Sequence, residues 1–189
     1  MSGAHVPHEH GPQNRNIAIL ISVIAALLAL SEMVGKSAQT HALSYQLEAS
    51  DLWNFYQAKT IRQTVLRAAV GQLEADEPPS APESQAARKR YDERWKKDIE
   101  RYESEPDTGE GRKELMARAK AAELKRDRAL AAYHQYEVAS ALVQIAIVLA
   151  SAHIITGVVA LLWIAAGLGV GGVVFCLIGF FAPMAVHLF

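Results

Sequence analysis

The sequence predicts an all-α membrane protein, with three transmembrane helices carrying a long helical-hairpin or coiled-coil stalk. Three observations lead there. Residues 138–182 run for forty-five positions without one Lys, Arg, Asp or Glu. A bilayer crossing needs ~20 apolar residues, so this run is long enough for two. A shorter apolar run, residues 17–35, supplies another crossing near the N-terminus. Between these runs, from Lys36 to Arg128, lie eighteen of the nineteen Lys and Arg residues, interleaved with most of the acids. Charge that is dense but balanced reads as a solvated helical stalk. A nucleic-acid surface would carry one sign.

Residues 1–16 are polar and hold Gly3, Pro7, Gly11 and Pro12, the composition of a disordered tail. His5, His8 and His10 offer imidazoles of the kind that ligate transition metals. No Cys or further ligand completes a site, so no metal is expected. Residues 17–35 form the first crossing. The alternative of a cleaved signal peptide is opposed by the single basic residue before it, Arg15, and by apolar character continuing through Met33 and Val34. Glu32 stands one turn inside the end of that crossing. Intramembrane carboxylates usually face protein or water. Two readings follow: an ion or proton path, or a pair with Lys36, four residues on and on the same helix face. Gly35-Lys36-Ser37 has the ending of a phosphate-binding loop, but Leu30 stands where that motif needs glycine, so the likeness is accidental.

From Ser37 to Asp76 there is no proline and one glycine, Gly71. Ala42, Tyr45, Ala49, Leu52, Tyr56, Leu66, Val70 and Leu73 recur at steps of three and four, with Lys59 and Gln63 filling the two vacant places. That is a heptad-like seam with two polar interruptions, the mark of a long helix in a bundle or coiled coil. Trp53, Phe55 and Tyr56 are too far past Gly35 to be the aromatic belt of a straight first crossing, and packing within the stalk is the favoured alternative to lying on the membrane.

Three prolines at 78, 79 and 82 end this helix, since each lacks a donor and clashes with the preceding turn. A charged helix follows from about 84 to 105, with Tyr91, Trp95, Ile99 and Tyr102 on one face. Residues 106–111, Pro-Asp-Thr-Gly-Glu-Gly, break the chain again, and an Ala-rich helix from 112 to 137 leads into the second crossing. The limb lengths close as a hairpin standing on the membrane, favoured slightly over a bundle in which 84–105 folds back as a third strand. The stalk as a whole is thus residues 36–137.

The second crossing is residues 138–156 and the third 158–182, with Gly157 as the turn and Pro183 as the stop before a short tail, 183–189. Gln144 lies about two turns into the second crossing and can hydrogen-bond across helices, to Ser140 or Glu32. His153 and Thr156, at the far end, are placed to reach headgroups. Gly167 and Gly171 have the four-residue spacing that lets another helix approach closely. The only cysteine, Cys176, reads as a small packing residue, so intramolecular disulfides are excluded. No nucleophile, paired metal motif or phosphate cradle stands in a suitable context, so no catalytic residue and no cofactor is expected.

Ala38-Gln-Thr-His-Ala42, the run Glu48-Ala-Ser-Asp-Leu-Trp-Asn-Phe-Tyr-Gln-Ala-Lys59 with Thr60-Ile-Arg-Gln-Thr64, and Tyr136 through Ser151 together look familiar. The chain resembles a bacterial family of small membrane proteins catalogued as domain of unknown function forty-three thirty-seven. The resemblance implies three crossings and no established activity, and it transfers no catalytic residues.

These readings converge on a non-enzymatic protein of the bacterial inner membrane that acts by assembly, as an oligomeric scaffold or a membrane-anchored subunit. The alternative is a small ion or proton channel lined by Glu32 and Gln144. Lys36 on one helix and Lys120, Lys125, Arg126 and Arg128 on another flank the crossings at one end, against Arg15 at the other. The positive-inside rule then puts stalk and C-terminus in the cytoplasm. The expected partners are the lipid bilayer, further copies of the chain, and a protein partner through the stalk; nucleic acid is not expected. Leu52, Trp53, Phe55 and Tyr56 spread apolar surface beyond one narrow stripe, and with Gly167 and Gly171 they are the expected contacts between copies.

Overall fold

A computed structural model describes residues 12–186 of the chain. Among them are four α-helices: α1 (Pro12–Ala75), α2 (Pro82–Glu103), α3 (Arg112–Thr156) and α4 (Val159–Phe181), followed by a single 3-10 turn, Pro183–Ala185. The histidines at 5, 8 and 10 lie outside the described residues. α1 runs for 64 residues, Pro12–Ala75, without a break at Lys36. It ends before Pro78, because the residues ahead of a proline are pushed out of helical geometry. The three helices α1, α3 and α4 are long and apolar enough to cross a membrane.

The chain divides into two compact units, residues 43–126 and the remainder. In the apolar unit, the first part of α1 packs with the second part of α3 and with α4. Its core is Ile24, Val143, Ala146, Ala150 and Ala165, with Leu20, Ile21, Leu27, Leu28 and Leu168 around them. Ala146, Ala150 and Ala165 are fully buried beside Ile24 and Val143, whereas Leu30, Ile155, Trp163, Phe180 and Phe181, all larger than alanine, are well exposed. A protein folded by water would reverse that order. Packing between apolar helices in lipid favours it, since lipid tails solvate Phe and Leu while small residues let backbones approach.

The seam on α4 is made of Ala165, Gly169, Gly172 and Gly179, all buried. A Cβ at Gly172 would collide with the Val143 side chain, and one at Gly179 would stand 3.1 Å from Gln135 and Tyr136. Tyr136 also fills the space beside Gly35, whose Cβ would lie 3.1 Å from it. The reversal between α3 and α4 takes two residues. Gly157 supplies it with φ +71°, a region that side-chain-bearing residues avoid. His153, buried, donates from Nδ1 to the carbonyl of Val158 at 2.9 Å, so it holds the turn together and does not reach outward.

In the charged unit, α1 is the outgoing limb, and α2 followed by α3 is the return. Arg88 of α2 donates to the carbonyls of Leu73, Asp76 and Glu77, capping the orphan carbonyls at the end of α1, which has no basic residue of its own there. Further along, Gln63 meets Ile99, Arg112 meets Thr60, Glu123 meets Trp53, and Arg126 meets Gln46. The partner number on α1 falls as the number on the return limb rises, so this is the hairpin, with α2 and α3 end to end. The predicted seam is the buried face of α1: Ala49, Leu52, Lys59, Gln63 and Val70 are all 8 % exposed or less.

Candidate functional site

Two polar constructions are built into this helical frame. The first is a groove in the apolar unit, about 400 Å³, between α1 and α3. Ser31 and Ser140 share a hydrogen bond of 2.9 Å on its floor. Above them Gln144 donates from Nε2 to Oε1 of Glu32 at 3.1 Å. Glu32 and Gln144, singled out on different helices, are therefore direct partners. The expected pairing of Glu32 with Lys36 does not form, and no acidic group among the described residues pairs with Lys36. The amide reaches the carboxylate from another helix, while Lys36, a turn further along α1, lines the same groove.

The second construction is a polar layer inside the charged unit, where α2 gives way to α3. Lys59, 6 % exposed, lies between the rings of Phe55 and Tyr102, 5.3 Å from each centroid. Glu105 and Glu110 face its ammonium at 3.8 and 3.7 Å. Gln63, 1 % exposed, donates to the Ile99 carbonyl at 3.1 Å and to Glu103 at 3.0 Å, and its Oε1 accepts from Arg112 at 2.6 Å. Arg112 also donates to Glu103 at 2.8 Å, to Thr60 at 3.0 Å and to the Tyr56 hydroxyl at 2.9 Å. The two seam positions that read as interruptions are thus the centre of a satisfied network. Sequence reasoning missed its partners, Glu103, Glu105, Glu110 and Arg112. The signal was there: a Lys and a Gln on a buried stripe need polar partners, and the acid-rich break at 103–114 was the place to look.

The joint at 104–111 is held by Glu114, which accepts from the Ser104 hydroxyl at 2.6 Å and from the Glu105 N–H at 3.1 Å. Those two hydrogen bonds, the hydroxyl first, hold its carboxyl below the ordinary value. The Glu103 carboxyl is lowered too, first by the Gln63 amide and then by the Arg112 charge. Gly111 is needed for closeness: a Cβ there would collide with the backbone of Ser104 and Glu105.

The other residues singled out by sequence are placed as follows. Leu52 is 8 % exposed, packed on Leu115, Ala119 and Ala122 within the chain's own core. Trp53 donates to Glu123 at 2.9 Å and meets Tyr56 edge-on at 5.5 Å. Phe55 underlies Lys59, and Tyr56 takes the Arg112 hydrogen bond. Gly171 lies against Leu142, while Gly167 has open space where a Cβ would stand. Within the chain, the close helix approach is made by the neighbouring set, Gly169, Gly172 and Gly179. No group of three or more His, Cys, Asp or Glu side chains among the described residues is placed to hold a metal ion.

No curated protein matches this chain, and no solved structure does. A family model described as a domain of unknown function, DUF4337, matches residues 13–182. That match takes in all four helices and both polar constructions, and the chain belongs to the DUF4337 family.

Proposed function

We propose that the chain is an integral protein of the bacterial inner membrane, with three crossings, that works by assembly as a non-catalytic oligomeric scaffold or membrane-anchored subunit. Membrane residence is supported by the apolar unit, where alanines are buried and larger apolar side chains are exposed. A cytoplasmic charged unit and C-terminus are supported by Lys36 and Arg128, which flank the crossings at one end.

The observation that carries assembly lies on α1 of the charged unit. Leu43, Leu47, Ile61 and Val65 lie off the seam and are 61–66 % exposed. No residue of that unit covers them, and a wet apolar surface is unfavourable by ~25 cal/mol per Å². Copies held in one membrane present this helix at high effective concentration, all in the same direction. Contacts between copies are therefore assigned to this face, with Trp53 and Phe55 as flanking surface, and separately to the open Gly167 of the apolar unit, while Leu52 serves the chain's own core. The test is mass measurement in mild detergent. The parent should run as a multiple of 20.6 kDa, and a Leu47→Asp, Ile61→Asp double variant should fall to the monomer. A monomeric parent would refute assembly between copies.

A further inference from the structure

We infer that the groove between α1 and α3 of the apolar unit is a binding site for the headgroup of a zwitterionic phospholipid bearing a primary ammonium. The inference rests on the membrane reading above and adds a ligand to it. Position is the first argument. Lys36 on α1 and Glu137 on α3 are the residues at which charged sequence gives way to the apolar runs, and both line the groove. From there the lining extends inward along the same helices, to Glu32 on one and Ser140 and Gln144 on the other, and outward to Gln39 and Tyr133. The groove therefore straddles the border between headgroups and hydrocarbon. At about 400 Å³ it is near the lower end of ligand-site volumes and sized for a headgroup. The acyl chains would run over the exposed apolar residues beside it.

Charge is the second argument. The groove holds two carboxylates, Glu32 and Glu137, and one ammonium, Lys36. Glu32 uses Oε1 for Gln144, and among the described residues its other oxygen has no donor. Among the described residues Glu137 receives a long 3.4 Å hydrogen bond from Tyr133 and a 3.6 Å approach of the His134 ring. A carboxylate at this depth gains most from a partner that brings its own positive charge and N–H donors. A primary ammonium has three such donors, and a quaternary one has none. An anionic headgroup would meet two like charges. The Lys36 ammonium, which no acid among the described residues pairs, is then available to the lipid phosphate. Binding is reversible association, with no bond made or broken.

The probe is a nanodisc containing equal parts of phosphatidylethanolamine, phosphatidylcholine and phosphatidylglycerol with identical chains. Full-length protein is incorporated and released into mild detergent, and retained lipids are counted by native mass spectrometry. The parent should retain the ethanolamine lipid about tenfold over either competitor, the worth of roughly one charge-assisted hydrogen bond. Glu32→Gln should abolish the preference. Ala141→Leu, which fills the groove from its exposed wall without touching a charge, should lower retention of all three lipids. Glu48→Gln, in the charged unit, should match the parent. Equal retention by the parent, a preference for the glycerol lipid, or an unchanged preference in Glu32→Gln would overturn the site while leaving membrane residence intact. Protein that never enters the discs would overturn both.

Discussion

Arg112 is the residue on which the charged unit's polar layer most depends, and its replacement by Met gives a prediction that can be worked through. The substitution keeps length and apolar stem but removes four hydrogen bonds. Their losses are unequal. The Thr60 and Tyr56 hydroxyls are half-buried and can turn to water, so each is worth a few tenths of a kcal/mol. Glu103, with its side chain 37 % exposed, is screened, and its ion pair counts for ~1 kcal/mol or less. Gln63 is the expensive loss. Its Oε1 is sealed in the core and would have no donor, which costs ~1–3 kcal/mol. The total is about 2–4 kcal/mol. For a chain of this size that lowers Tm by roughly 5–10 °C, read by helical circular dichroism of the full protein in mild detergent. Adding Gln63→Leu removes the orphaned oxygen. The double variant should therefore be clearly more stable than the two single losses combined would make it. A Tm within 1–2 °C of the parent for Arg112→Met, or strict additivity in the double variant, would refute the argument that Gln63 and Arg112 form one buried unit.

Two further outcomes follow from the packing and the titrations. Gly172→Ala forces a methyl into the Val143 side chain and should cost ~1–3 kcal/mol. Gly167→Ala enters open space and should be neutral or slightly stabilising, a contrast readable in the same melts. The carboxyls of Glu103 and Glu114 are both held below their ordinary value near 4.5. Their contribution is complete above that value and disappears as pH falls through the depressed one. Tm should therefore be level from neutral pH to about 5 and decline below 4.5, and Gln63→Leu should make that decline shallower.

The helices were legible because each obeys a local rule. The stripe from Ala42 to Leu73 could be read as a buried face from spacing alone, and the prolines at 78–82 and the Pro/Gly break at 106–111 marked where α1 and α2 end. What escaped was pairing across distance. Lys59 and Gln63 carried the right periodicity, but their partners at 99–112 lie 36 or more residues away, beyond any helical repeat. Glu32 had an attractive neighbour in Lys36, one turn away. Its actual partner, Gln144, is on another helix, and only packing of α1 against α3 brings the two together. The glycines of α4 failed for a different reason. Gly167 and Gly171 share a face, as do Gly169 and Gly172, and in a helix apolar on all sides no polar residue says which face turns inward.

The two-residue reversal at Gly157 bears on how the protein is made. A segment that crosses a membrane twice must usually drag its connecting loop through the hydrocarbon, and each unsatisfied polar group there is costly. Here the connection has no charged side chain to strip of water. Its exposed backbone is already served from within: the Gly157 N–H by the His153 carbonyl, and the Val158 carbonyl by the His153 ring. Helices α3 and α4 can thus enter a bilayer together as one preformed hairpin, tip first. The residue that closes the tip of that hairpin is a histidine turned inward, His153.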